Sequence, residues 1–133
     1  MKVAIIAARV LLGVMFVFFG ANGILMFLKP GPMPPSDATT FMTVLMNTHY
    51  MTFISLVMLI SGLLILIGRF VPLGLTLLGP ILVNILSTHI FLMHGAGISM
   101  GLIATAFWLF LFFAYRSSFY GIFQADPPIT PTN

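Results

Sequence analysis

The stretch GPILVNILSTHIFLMHG, residues 79–95, sets Pro80, Asn84, Ser87, Thr88, His89 and His94 among apolar side chains. An imidazole can donate or accept a hydrogen bond, bind a metal or meet a polar headgroup. His89 therefore carries three readings. As a neutral ring it bonds to a neighbouring helix, and Asn22 is the candidate partner. Both residues fall roughly 7–9 Å outward of their segment midpoints at the helical rise of about 1.5 Å per residue. As a ligand contact it donates an N–H to a quinone carbonyl held in an apolar groove. As a metal ligand it pairs poorly with His94, five residues on, because helical metal sites use i, i+4 spacing. Interhelical polar bonds are common glue in membrane proteins, which favours the first reading.

His49 begins the second apolar segment on the same outer side, so the candidate ligand-binding set is Asn22, His49, Asn84 and His89. No metal site is expected from it. Asn84 is also placed to bond the backbone loosened by Pro80. On an ideal helix His89 lies about 140° around from Asn84; a helix in a bundle touches two neighbours, so both faces can be inward. The ten methionines include Met42, Met46 and Met51 near the outer surface. Thioethers bind Cu(I), but methionine is more commonly an apolar filler. Trp108 reads as a packing residue rather than part of a cofactor box.

Several chemistries lack their residues. The chain has no cysteine, which removes disulfides, thiol relays and thiolate metal sites. No Asp, Glu, Lys or Arg lies near the centre of an apolar segment, as proton pumps and ion-coupled transporters usually require. No nucleophile–base pair, acid/base pair, phosphate loop or dinucleotide fingerprint is present. Enzymatic activity of its own is not expected; any such activity would be as part of a quinone oxidoreductase.

These residues must be positioned by a chain that is 60% hydrophobic and 5% charged over 133 residues. A soluble domain carries about 25% charged residues, so the chain reads as an all-α integral membrane protein. Apolar segments at 3–28, 50–67, 72–93 and 97–115 each approach the ~20 residues of a spanning helix, predicting a bundle of four transmembrane helices. Residues 1–124 form one transmembrane domain and 125–133 a polar tail. The first segment reads as a retained helix, since its apolar run exceeds the ~7–15 residues of a signal-peptide core. Lys2, Arg9, Arg69 and Arg116 fall on one side and Lys29 on the other. The positive-inside rule then puts both termini in the cytoplasm. Five scattered basic residues make no nucleic-acid surface.

In the first outer loop, PGPMPPSD is extended or turning. Ser36 or Asp37 then caps a surface helix over 37–48, with Phe41, Val44 and Leu45 facing apolar material. Pro80 predicts a kink in the third helix, where it frees the Thr76 carbonyl. Gly13, Gly20 and Gly23 line one side of the first helix, Ser55 and Gly62 the second, and Gly97, Gly101 and Thr105 the fourth. The packing set is thus Gly13, Gly20, Gly62, Pro80, Gly97 and Gly101. Phe119, Tyr120 and Phe123 are placed for an aromatic belt.

The stretches ARVLLGVMFVFFGANGI and LVMLISGLLILIGRFVPLGLTLLGPILVNILSTHIFLM, with AYRSSFYGIFQ near the end, resemble the DoxX family over residues 8–124. The resemblance implies a small four-helix membrane protein of a bacterial or archaeal inner membrane, linked to quinone-dependent respiratory enzymes. Asn22, Asn84 and His89 match polar sites of that pattern. The absence of cysteine departs from the wider thiol-redox relatives of the vitamin K epoxide reductase type. The expected function is a non-catalytic accessory or assembly subunit of a larger membrane redox complex, surrounded by lipid and other integral subunits. The alternative is a quinone- or lipid-binding module with its site near His89, and a small transporter fits less well.

Overall fold

The computed structural model describes residues 1–130. Every regular element among them is helical. Helix α1 covers Lys2–Leu25, α2 Asp37–Asn47, α3 Tyr50–Ile67 and α4 Val71–Ser87. A π turn, Thr88–Leu92, continues α4. Helix α5 covers Ile98–Ala114, and a short α6, Arg116–Phe119, runs into a 3-10 turn, Tyr120–Phe123. The segments Lys2–Leu25, Tyr50–Ile67 and Val71–Leu92 are long and apolar enough to cross a membrane. A fourth crossing is added if Ile98–Ala114 and Arg116–Phe123, bent by 80°, count as one span. Residues 131–133 of the polar tail lie outside the described residues.

The long helices close into a ring in which α1 packs on α3, α3 on α4, α4 on α5 and α5 on α1. The α1–α3 seam is built on glycine. A Cβ on Gly62 would sit 2.8 Å from the Val17 backbone nitrogen, and one on Gly13 would sit 2.7 Å from the Leu66 Cβ. A Cβ on Gly20 would sit 2.7 Å from the Leu59 nitrogen. The backbones therefore touch, and dispersion acts over the whole seam. Such packing takes the place of a hydrophobic driving force between helices in lipid. Gly97 differs. It begins α5 at φ 71°, and only the His89 ring would meet its Cβ, at 3.7 Å. Its role is a left-handed turn, not a helix-packing seam. Gly101 faces Leu86 and Ile85 on α4.

The core lies toward one end of the ring. Leu12, Ile65, Val71, Leu75, Leu78 and Leu111 are fully buried there. Arg9 stands at this end and donates from Nε to the Ile65 carbonyl at 3.2 Å. That places a cation at the C-terminus of α3, where the helix dipole is negative. Its guanidinium lies over Gly68, whose φ of 81° closes α3. Phe119 joins the same core at 4% exposure, with its ring 4.8 Å from Phe112. It is therefore a core residue and not part of an aromatic belt, because the bend after Ala114 turns it back on α5. Tyr120 and Phe123 stay exposed.

Candidate functional site

At the other end the ring does not fill. A cavity of about 690 Å³ opens between α1, α3, α4 and α5, under α2. Small-molecule sites commonly measure about 300–1,000 Å³ and carry few polar groups in apolar walls. The walls here include Phe16, Phe19, Ile54, Val57, Ile81 and Ala104. Met15, Met42, Met51, Met58 and Met100 add five unbranched, adaptable side chains. Asn22, Asn84, Thr88 and His89 supply polar groups in its lining.

Helix α2 forms the cover. Ser36 Oγ accepts from the Thr39 N–H at 3.2 Å and starts the helix, so Ser36 rather than Asp37 is the cap. Thr39 Oγ1 in turn donates to the Pro34 carbonyl at 2.8 Å, fixing the proline-rich approach. Phe41, Met42 and Leu45 face the cavity. Val44 does not; it is exposed and borders a shallow depression with Thr40 and Thr43.

Asn22 and His89 both line the cavity, yet no hydrogen bond joins them among the described residues. Each is engaged by backbone close to it in the chain. Helix α1 stops at Leu25, short of residue 28, because Met26 turns left-handed at φ 53° and donates back to the Asn22 carbonyl. The Asn22 Oδ1 accepts from the Leu28 N–H at 2.8 Å and holds that end. His89 Nδ1 lies 2.7 Å from the Ile85 carbonyl oxygen. Equal depth brought the two residues to one cavity, but local backbone acceptors and donors took the bonds expected between them.

The π turn places His89. Past Ser87 the ladder lengthens, and the Met93 N–H reaches the Thr88 carbonyl. Single π turns inside α-helices are frequent at functional sites. Thr88 Oγ1 donates to the Asn84 carbonyl at 2.9 Å, and His89 donates to the next one, Ile85. Asn84 and His89, expected on faces 140° apart on an ideal helix, border the same cavity. Both can do so because α4 is flanked by both α3 and α5.

His49 does not line this cavity. It sits exposed at the α2–α3 junction with φ 59°, and the cavity lining passes to Tyr50 and Met51. His94 holds a similar turn at φ 49°. Histidine tolerates the left-handed region better than bulkier residues, and a tight helix junction demands it. No group of three His, Cys, Asp or Glu side chains able to hold a metal forms among the described residues.

Two contacts have no counterpart in the reading of the sequence. Trp108 Nε1 donates to the Leu75 carbonyl at 2.9 Å, tying α5 to α4. The ring lies on Gly79, where a Cβ would come within 3.2 Å of it, and stacks on Phe112 at 5.3 Å. A tryptophan N–H in an apolar segment must find an acceptor, so a signal for this bond existed. Ser55 Oγ is fully buried against Gly23 and has no hydrogen-bond partner among the described residues.

No family model, no curated protein and no solved structure matches this chain.

Proposed function

We propose that the protein is a membrane-embedded binding module for an apolar small molecule with a polar headgroup, of the quinone or lipid class. The cavity under α2 is the observation that carries this reading. It joins adaptable apolar walls to Asn22, Asn84, Thr88 and His89, an arrangement suited to an amphiphile that enters with its head toward these groups. Pro80 borders the cavity, and a kink there would widen the α4 wall. The resemblance to DoxX-like proteins points to the same quinone-linked setting.

In this reading the chain crosses the membrane four times, with the α5–α6 pair as the bent fourth span. Lys2, Arg9, Arg69 and Arg116 face the cytoplasm of a bacterial or archaeal cell, and the cavity lies in the outer half of the bilayer. The accessory-subunit expectation rested on small size and missing catalytic groups. A cavity of ligand size gives the chain a task of its own, which moves the weight to binding. A binding module can still serve within a larger redox assembly.

Binding of decylubiquinone and of a long-chain phospholipid to the protein in nanodiscs tests the reading. Val57→Trp places an indole into the cavity from a half-buried lining position. Specific, saturable binding of one ligand in the wild type and its loss in Val57→Trp, with an unchanged melting temperature, is the expected result. Binding that survives the tryptophan, or no saturable binding, would remove the proposal.

A further inference from the structure

The hydrogen bond that His89 makes to its own helix decides what its other nitrogen can do. A backbone carbonyl only accepts, so the Nδ1 that lies 2.7 Å from the Ile85 oxygen carries the hydrogen. In the neutral ring Nε2 is then a bare lone pair, an acceptor. An imidazolium in an apolar wall would need a counter-ion. The chain has only two carboxylates, Asp37 and Asp126, and neither lines the cavity. The Nε2 edge of the ring lies beside Gly97 at the start of α5, and no protein donor reaches it among the described residues. His89 is half-buried and lines the cavity, and a nitrogen there that only accepts suits a ligand that donates.

We infer that the cavity selects a ligand whose head carries a hydroxyl donor, a phenolic quinol or an isoprenoid alcohol, over the carbonyl form of a quinone. This rests on the binding reading above and refines it. A quinone carbonyl has no hydrogen to offer Nε2 and would set two acceptors against each other. A quinol O–H donates to it directly. Asn84 does not discriminate, because its carboxamide both donates and accepts. Asn22 spends its oxygen on the Leu28 N–H and retains its amide as a donor to a second ligand oxygen. Selectivity therefore falls on His89, as a binding residue for the hydroxyl.

The test compares decylubiquinol, decylubiquinone and farnesol as probes on the full chain in nanodiscs, under anaerobic reducing conditions for the quinol. The expected result is that the quinol binds about tenfold more tightly than the quinone, the scale of one well-placed hydrogen bond. His89→Phe should lower quinol affinity to the quinone level while the protein still folds. Should that variant fail to fold, 15N spectra of the wild type provide a second readout. There His89 Nε2 should show the pyridine-type resonance of an unprotonated nitrogen and move on adding quinol but not quinone. Farnesol binding as tightly as quinol would assign the hydroxyl to a lipid alcohol, and its failure would assign it to a quinol. Equal affinity for the two redox forms, or a pyrrole-type Nε2, would overturn the hydroxyl inference and leave the binding module standing. No binding of any probe would overturn both.

Discussion

The two ends of the helix ring solve opposite problems. The α1–α3 seam touches backbone to backbone from Gly13 to Gly20, and at the end that holds Arg9 and Gly68 six large side chains are also fully buried. At the end that holds Asn22 and His89, the same helices flank a cavity of about 690 Å³, and no residue from Val83 to Leu92 is buried. The filled end has no polar side chain that needs a ligand; Arg9 finds Ile65, and Trp108 finds Leu75. The open end leaves His89 Nε2 and the Asn84 carboxamide without protein partners among the described residues. The lesson is physical. Stability in lipid comes from close packing, so a small chain can leave one end open only if the other is tightly closed.

The comparison breaks most readily at the seam. Gly62→Val would force a side chain against the Val17 nitrogen, 2.8 Å from the added Cβ, which backbone cannot yield. A loss of about 3 kcal/mol, the upper range for overpacking, is expected in detergent unfolding. Gly101→Ala near the open end meets only the tips of Leu86 and Ile85, at 3.2 and 3.4 Å. Its effect should stay below about 1 kcal/mol. Equal losses at the two positions would erase the distinction between the ends.

A smaller change sharpens it. Trp108→Phe keeps most of the ring but removes the donor to Leu75. Interhelical hydrogen bonds in membranes contribute about 0.6–1.7 kcal/mol, so thermal unfolding should show a loss of about 1 kcal/mol. The smallest expected effect is a coupling. Asn22→Ala and His89→Ala should lower stability additively, within about 0.5 kcal/mol, because Asn22 bonds the Leu28 N–H just past α1 and His89 bonds its own helix, not each other. A coupling above about 1 kcal/mol would restore the direct contact between them.

Much of the α1–α3 seam was legible. Gly13, Gly20 and Gly62 declare close approach by their spacing, and their Cβ positions meet α3 or α1 backbone. Matched depth placed Asn22 and His89 at one level, and both reach the cavity. Depth does not specify partners, however. Leu28 N–H and the Ile85 carbonyl are closer in the chain and took the side chains first. The π turn has no compositional signature, because an i−5 ladder uses the same residues as an i−4 one. The longer ladder past Thr88 was therefore not legible. His49 and Gly97 both stand at left-handed junctions; these are a demand of the turn, and periodicity along a helix says nothing about them.

The central claim is that the cavity under α2 receives an apolar ligand. The most direct measurement is photo-crosslinking of an azido-quinol to the protein in nanodiscs, with the adducts mapped by mass spectrometry. The account predicts adducts concentrated on lining residues such as Met42, Leu45, Met51 and Ile81 that unlabelled ligand suppresses. Adducts spread over outward residues such as Ile6, Leu11 and Phe113, unaffected by competition, would contradict it.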